Sequence, residues 1–226
     1  MISMNLEPLP APLFEHPDFI VVNKPSGVNF HDEDALGQGF FNRYKAIYDE
    51  LYPLHRLDKM TSGVMLMARN SASVQHLSRL FAERKVDKTY IALARGKPKK
   101  KQGWIKGDMA KSRRGSFKLL RSMDNPAITQ FESYSLGDGV RFFKLMPKTG
   151  KTHQLRVAMN SLGTAIIGDP IYGSDSAADR GYLHAFQIRF ELNDIAYKFV
   201  ADVPTKDGEL FAKYQQQIRE LLNSDK

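Results

Sequence analysis

The 226-residue chain contains no cysteine. Disulfide frameworks, thiolate zinc sites, Cys-ligated iron–sulfur clusters and thiol nucleophiles are excluded together. A chain of this length buries about 70% of its unfolded surface and needs no such staple. The absence also fits a reducing compartment. No stretch approaches the ~20 apolar residues of a membrane helix. Met1–Pro12 has neither a basic n-region nor a long apolar run, so no signal peptide is expected. His16, His31, His55, His76, His153 and His184 form no H-E-x-x-H and no i, i+4 pair, so no metal site is expected. G-x-S-x-G and G-x-G-x-x-G are missing too, which leaves α/β-hydrolase and dinucleotide chemistry without anchors. The expectation is a cytoplasmic protein of one domain over residues 1–226, with no membrane contact.

What is present is charge, unevenly placed. The net charge is +8, yet the segment from Lys97 to Arg121 holds ten Lys/Arg against one acid, Asp108. That segment carries +9, and the rest of the chain −1. A patch of one sign suits a polyanion better than a uniform excess does. Trp104 and Phe117 interleave with the charges, as stacking residues do in nucleic-acid sites. Pro98, Gly103, Gly107 and Gly115 mark the stretch as loop-rich. Lys99, Lys100, Lys101, Arg113 and Arg114 are its candidates for phosphate contact. The competing explanation is a solvated loop kept soluble by lysine.

Apolar patterning gives the frame. Asp18–Lys24 and Gly63–Ala68 predict buried strands, and Lys88–Ala94 alternates as a third. Phe40, Phe41, Tyr44, Ile47, Tyr48 and Leu51 predict a helix before Pro53. Asn70 or Ser71 caps a helix with Val74, Leu77, Leu80 and Phe81 inward. Ile128–Leu136 and Val140–Met146 flank Gly137-Asp138-Gly139, and Phe186–Leu192 and Ala196–Val200 flank Asn193-Asp194, so two hairpins are expected. Thr152–Ser161 and Glu209–Leu222 complete the helices. Hairpins mixed with isolated helices indicate α+β, with a mixed, largely antiparallel central sheet flanked by helices.

Two clusters are rich in chemistry. His55-Arg56-Leu57-Asp58, followed by Thr61-Ser62-Gly63, places an acid at the mouth of a buried strand, where a rigid element aims it. Its structural alternative is a turn cap with a solvated histidine. Lys148–Arg156 contains Gly150-Lys151-Thr152, the end of a phosphate-loop motif. The first glycine of that motif falls on Leu145, inside an apolar strand, so a nucleotide triphosphatase is not supported. What remains is a basic, hydroxyl-rich turn opening a helix, suited to a phosphate backbone.

In order along the chain, these clusters resemble the RluA family of RNA pseudouridine synthases. The resemblance rests on Val21-Val22-Asn23-Lys24-Pro25-Ser26-Gly27, His55-Arg56-Leu57-Asp58 with Thr61-Ser62-Gly63, Lys88-Thr89-Tyr90, and Pro147–Arg156. It continues through Gly168-Asp169 with Tyr172-Gly173, and Leu183-His184-Ala185. Lys151 stands where arginine is more usual, and Val157-Ala158 where Val-His is common. The resemblance implies the pseudouridine-synthase catalytic fold, a compact single-domain member without an appended N-terminal RNA-binding domain, and isomerisation of a specific uridine in rRNA or tRNA. It implies no cofactor and no metal, RNA as partner, and no obligatory protein partner, hence a monomer. Asp58 corresponds to the essential aspartate, Tyr90 to the tyrosine packed on the target base, and Arg156 to the basic partner of the aspartate. Lys24, His55, Arg56, Thr61, Ser62, Gly63, Lys151, Thr152, His153, Gln154 and Leu183 are the implied substrate-binding set, with Arg56 filling the gap left by the flipped base. The alternative function is a non-catalytic RNA-binding or ribosome-assembly protein that kept the fold.

Overall fold

The computed structural model describes residues 8–33, 36–175 and 177–223. Its elements follow the apolar pattern. The first half holds β1 (Phe14–Glu15), β2 (Phe19–Lys24), α1 (Phe40–Lys45), β3 (Tyr52–Pro53), β4 (Ser62–Ala68) and α2 (Ser71–Ala82). Then come β5 (Asp87–Arg95), β6 (Gln102–Gly107), β7 (Met109–Lys111), β8 (Phe117–Leu119), β9 (Ala127–Gly137) and β10 (Val140–Pro147). The chain closes with α3 (Gln154–Ser161), β11 (Leu183–Leu192), β12 (Ile195–Val200), α4 (Glu209–Lys213) and α5 (Gln215–Asn223).

The main sheet runs β1-β2-β4-β11-β5-β10-β9-β6, with β3 added to β4 and β12 to β11. All its pairings are antiparallel except β4 with β11, which are parallel through His184 opposite Ser62 and Ala185 opposite Gly63. That junction divides the molecule. On one side β2, β4, α1 and α2 pack Phe19, Val21, Leu66, Leu77 and Phe40 into one core. On the other, β5, β9, β10, α3, α4 and α5 pack Leu93, Phe131, Phe143, Met159, Phe211 and Ile218 into a second. Gly63 sits at the seam with φ +119°, and a Cβ there would overlap the Ala185 backbone, so the two halves meet this closely only through glycine.

Several local expectations hold at their boundaries. Asn70 is the cap of α2, its Oδ1 accepting from the Ser73 amide at 2.8 Å. Asn193 and Asp194 both take positive φ, as a two-residue hairpin turn requires. Four expectations need correction. The helix before Pro53 ends at Lys45 rather than near Leu51. The last helix divides at Tyr214, with no helical residue between α4 and α5. The helix expected from Thr152 begins at Gln154, because His153 is left-handed at φ +56° and ψ +15°. The basic segment is more ordered than expected: between its loops it supplies the edge strand β6, paired to β9, and the small β7–β8 hairpin.

Candidate active site

The turn before β4 carries Asp58, and the chain beneath it is tied down residue by residue. The Thr61 amide donates to the Asp58 carbonyl at 3.0 Å, closing the turn. From the end of β2, the Lys24 ammonium donates to the carbonyls of Pro25 (2.9 Å), Lys59 (3.3 Å) and Thr61 (2.9 Å). Ser26 Oγ donates to the Met60 carbonyl and the Gly27 amide to the Lys59 carbonyl, each at 2.9 Å. Lys24 is fully buried, and burial followed by the nearby Arg180 charge brings its pKa down to about 7, against the pull of Asp58 and Asp207. It lies behind the wall of the cleft, so its role is to hold the turn.

Arg156 comes from the first turn of α3. The lead into that helix is fixed by Gln154, whose Oε1 accepts from Thr149 Oγ1 (2.7 Å) and the Lys151 amide (3.0 Å). Its Nε2 donates to the Ile128 carbonyl and Thr129 Oγ1. The guanidinium then reaches two carboxylates. Nε and Nη2 donate to Asp169 at 2.7 and 2.8 Å, and Nη1 donates to Asp58 Oδ2 at 3.1 Å. The Asp169 side chain has no exposed surface, while that of Asp58 is 26% exposed. Burial works against ionisation of Asp169, yet its pKa is lowered because the Arg156 bonds and charge and the Ile171 and Tyr172 amides outweigh it. The arginine is thus anchored from behind and offers one N–H to the carboxylate in the cleft.

That cleft has a volume of about 600 Å³ and is bounded by Asp58, Tyr90, Leu183, Lys88, Phe81 and the Lys148–Arg156 turn. Tyr90 projects from β5, and burial, then the Asp58 charge, raises its pKa, so its hydroxyl stays protonated. A second cleft, about 610 Å³, lies against the first and shares Arg56, Asp58, Thr152, His153 and Arg156 as its wall. Asp58 is therefore reachable from two sides. His153 stands beside it, Nε2 4.0 Å from Asp58 Oδ2.

The structure sorts the other sequence candidates. Tyr90, Leu183, Thr61, His55, Lys151, Thr152, His153 and Gln154 all line the first cleft, as does exposed Arg56, whose Nη2 is 3.5 Å from Thr152 Oγ1. His55 accepts the Leu66 amide at Nε2 (3.0 Å), stacks on Phe81, and has its pKa lowered to about 3 by burial and then Lys88. It is a neutral structural imidazole. Ser62 is buried, receiving Arg180 Nη2 at 2.6 Å and bonding His184 Nδ1 at 2.8 Å, and Gly63 serves the seam; like Lys24, neither lines a cleft. The five basic candidates do not form one patch. Register places the Gly107 end of β6, and the hairpin after it, with Ala127, beside the start of the Lys148 turn. Lys99, Lys100 and Lys101 precede the other end of β6, about 20 Å away at ~3.3 Å per residue. Arg113 and Arg114 sit at the tip of the hairpin whose β8 packs on α3. Sequence reasoning assigned no role to Asp169 or Tyr172, and gave Phe117 only a place among base-stacking residues rather than one against His153. Asp169 and Tyr172 stand in quoted motifs, but only folding brings them to Arg156 and His153.

Residues 18–161 match the family model of RNA pseudouridylate synthases. The chain belongs to that family. It is an RluA-type member, an isomerase that converts uridine in RNA to pseudouridine. A relative in Haemophilus influenzae, described as an uncharacterized RNA pseudouridine synthase, is 49% identical over 79% of this chain and 81% of its own. A ribosomal large subunit pseudouridine synthase C of Rickettsia bellii is 34% identical over 78% of this chain, which spans 62% of that relative. Among solved structures, human RNA pseudouridylate synthase domain containing 1 superposes with a TM-score of 0.72 at 27% identity. That superposition covers 86% of this chain and 84% of the human one. The fold is accordingly the mixed, largely antiparallel α+β architecture expected. Among the described residues, no helix is long and apolar enough to cross a membrane.

Proposed function

We propose that this synthase isomerises one specific uridine in a structured RNA, a stem–loop of rRNA or tRNA, with Asp58 as its essential carboxylate and without cofactor. The observation that carries this is the asymmetric grip on Arg156: a buried carboxylate fixes the guanidinium, which aims a solvent-accessible carboxylate into a nucleotide-sized cleft. The reaction breaks the bond from N1 to C1′, turns the base, joins C5 to C1′, and moves the C5 proton off the ring. An ionised Asp58 serves either as nucleophile at C1′ or as the charge that stabilises the cation developing there. Tyr90, protonated and at the cleft wall, packs on the base and is the candidate relay for the proton at C2′ or C5. Leu183 closes the apolar side.

The uridine must leave its stack, at a cost of a few kcal/mol. Arg56 is exposed at the shared wall of the two clefts, a position from which its side chain enters the vacated space. The second cleft gives the flanking nucleotide a place beside Asp58. Sequence-specific reading acts on unstacked loop bases, which favours a stem–loop target. The names of the Rickettsia bellii relative and of others like it point to large-subunit rRNA. The protein then works as a single catalytic domain, a monomer in the cytoplasm where that RNA is made. The test is to map pseudouridine at single-nucleotide resolution in RNA from cells lacking the gene, before and after incubation with the pure protein. One or a few uridines should convert without added metal or cofactor. RNA binding without any conversion would instead make the protein an assembly factor that kept the fold.

A further inference from the structure

His153 is unusual in three respects. It is a non-glycine residue held at φ +56°, a conformation for which surrounding structure must compensate. It is half-buried between the β8 strand and the Asp58 turn, with Phe117 edge-on at 5.6 Å and Tyr172 edge-on at 5.8 Å. Its two ring nitrogens face different groups: Nδ1 lies 3.1 Å from the Tyr172 hydroxyl, and Nε2 lies 4.0 Å from Asp58 Oδ2.

The Tyr172 hydroxyl decides which nitrogen carries the proton. Its oxygen already accepts the backbone N–H of Phe117 at 2.8 Å. Its own proton can then go to His153 Nδ1, 3.1 Å away, and the ring reads as the tautomer unprotonated there. That leaves the N–H on Nε2, aimed at the carboxylate. The charges around the ring agree with a neutral imidazole: burial and Arg156 lower its pKa, as does Arg56, against Asp58 and Asp169. The opposite tautomer would turn a lone pair toward the Asp58 carboxylate.

We infer that Tyr172 and His153 are positioning residues, which link the β7–β8 hairpin to Asp58 by holding a neutral imidazole with its Nε2–H pointed at the carboxylate. This rests on the reaction proposed above. At 4.0 Å the N–H is short of a hydrogen bond in the free protein. The hairpin carries Lys111, Arg113, Arg114 and Lys118, so RNA that docks on it presses on the strand that supplies both Phe117 contacts. Closing the gap then gives Asp58 a second donor beside Arg156. Catalytic hydrogen bonds commonly tighten in this way only in the complex.

The experiment compares the parent with Tyr172→Phe, which keeps the ring over the Arg156 guanidinium (5.2 Å) and deletes only the hydroxyl. Two readouts are used: ¹⁵N NMR of the His153 imidazole in the RNA-free protein, and steady-state kinetics on RNA from cells lacking the gene. The parent should show a neutral ring protonated at Nε2, and Tyr172→Phe a mixture of tautomers. The variant's kcat should fall about tenfold, the worth of one hydrogen bond to a charged group, with KM unchanged within about twofold. His153→Asn, which tolerates the left-handed backbone, should lose at least as much, and the double variant should lose no more than His153→Asn alone. A parent ring protonated at Nδ1 would overturn the inference, as would a tautomer shift with parental kcat, or additive losses in the double variant. If the parent itself forms no pseudouridine, the proposed function fails, and the tautomer measurement still judges the link to the hairpin.

Discussion

Asp58 and Asp169 bind the same guanidinium from two separate turns, one in the cleft and one behind it, and their surroundings differ. Asp169 has no exposed surface and accepts two arginine donors and two backbone amides. Asp58 is 26% exposed and takes a single arginine N–H at 3.1 Å. A buried carboxylate held by four donors is a structural anchor; one with lone pairs facing a cleft can meet a substrate. The division teaches where rigidity has been placed. It is placed on the arginine and on the backbone under Asp58, through Lys24, Ser26 and Gly27, while the Asp58 carboxylate itself is lightly held.

The sharpest way to break this comparison is to neutralise each carboxylate in turn. Asp58→Asn keeps size and hydrogen-bonding capacity and removes the charge. Pseudouridine formation should fall by roughly 10⁴-fold or more, the scale seen when a group in contact with the reacting atoms is lost. Urea denaturation should shift by less than about 1 kcal/mol, because the new amide oxygen still accepts the Arg156 N–H and Asp169 keeps the guanidinium charge paired. RNA affinity should stay within a few-fold. Clear multiple turnover by Asp58→Asn would remove it from the chemistry.

Asp169→Ala should show the reverse order of effects. It strands a buried arginine, and breaking a buried pair from one side costs about 3–5 kcal/mol. Activity falls as well, through an Arg156 no longer fixed in direction, so the stability loss measured in urea is the discriminating number. The pH dependence follows from the lowered pKa of Asp169. A depressed folded value means that its stabilisation is complete above the ordinary carboxylate value of 3.8, and is lost as pH falls from there through the depressed one. The parent should therefore lose stability steeply below about pH 4, and Asp169→Asn less steeply. Parallel acid limbs would mean that Asp169 is not the anchor.

How far the sequence reached depended on the range of the interaction. Asp58, Tyr90 and Arg156 stand in short motifs, in the turn before β4, in β5 and at the start of α3, and the elements that hold them carry apolar patterns that survive any packing. The α2 cap and the Asn193-Asp194 turn were equally local and equally legible. Three things were not. The hairpin of residues 109–119 was hidden because its strands are three residues long and half-buried, so charge and glycine dominated the pattern. The break at Tyr214 leaves the apolar spacing almost intact, and periodicity alone ran through it. Lys24, Ser62 and Gly63 lie close to the site in sequence logic, but their side chains, or lack of one, serve the β2 and β11 contacts behind it. A motif records that a residue matters to the site without saying which side of the wall it occupies.

The smallest expected effect concerns the second pair of regions, the two halves of the basic segment. The sequence presents Lys99, Lys100, Lys101, Arg113 and Arg114 as one patch, whereas the register of β6 on β9 sends them to opposite ends of a strand. On the proposed function, RNA held with its target base at Asp58 would pass the hairpin, which touches His153 and Tyr172. It has no comparable reason to reach the turn before β6, where the Lys99 amide meets the end of α3. Each phosphate contact contributes about −0.7 to −0.9 to the slope of log affinity against log salt. Changing Arg113 and Arg114 to Gln should flatten that slope by up to two such increments and raise KM at moderate salt, with kcat nearly intact, as loss of uniform binding predicts. Changing Lys99, Lys100 and Lys101 to Gln should leave slope and KM where they were. Salt titrations of the two variants against the parent decide the matter. An equal flattening in both would mean that the RNA runs the length of β6, and silence in both would leave the grip to Lys148–Arg156 alone.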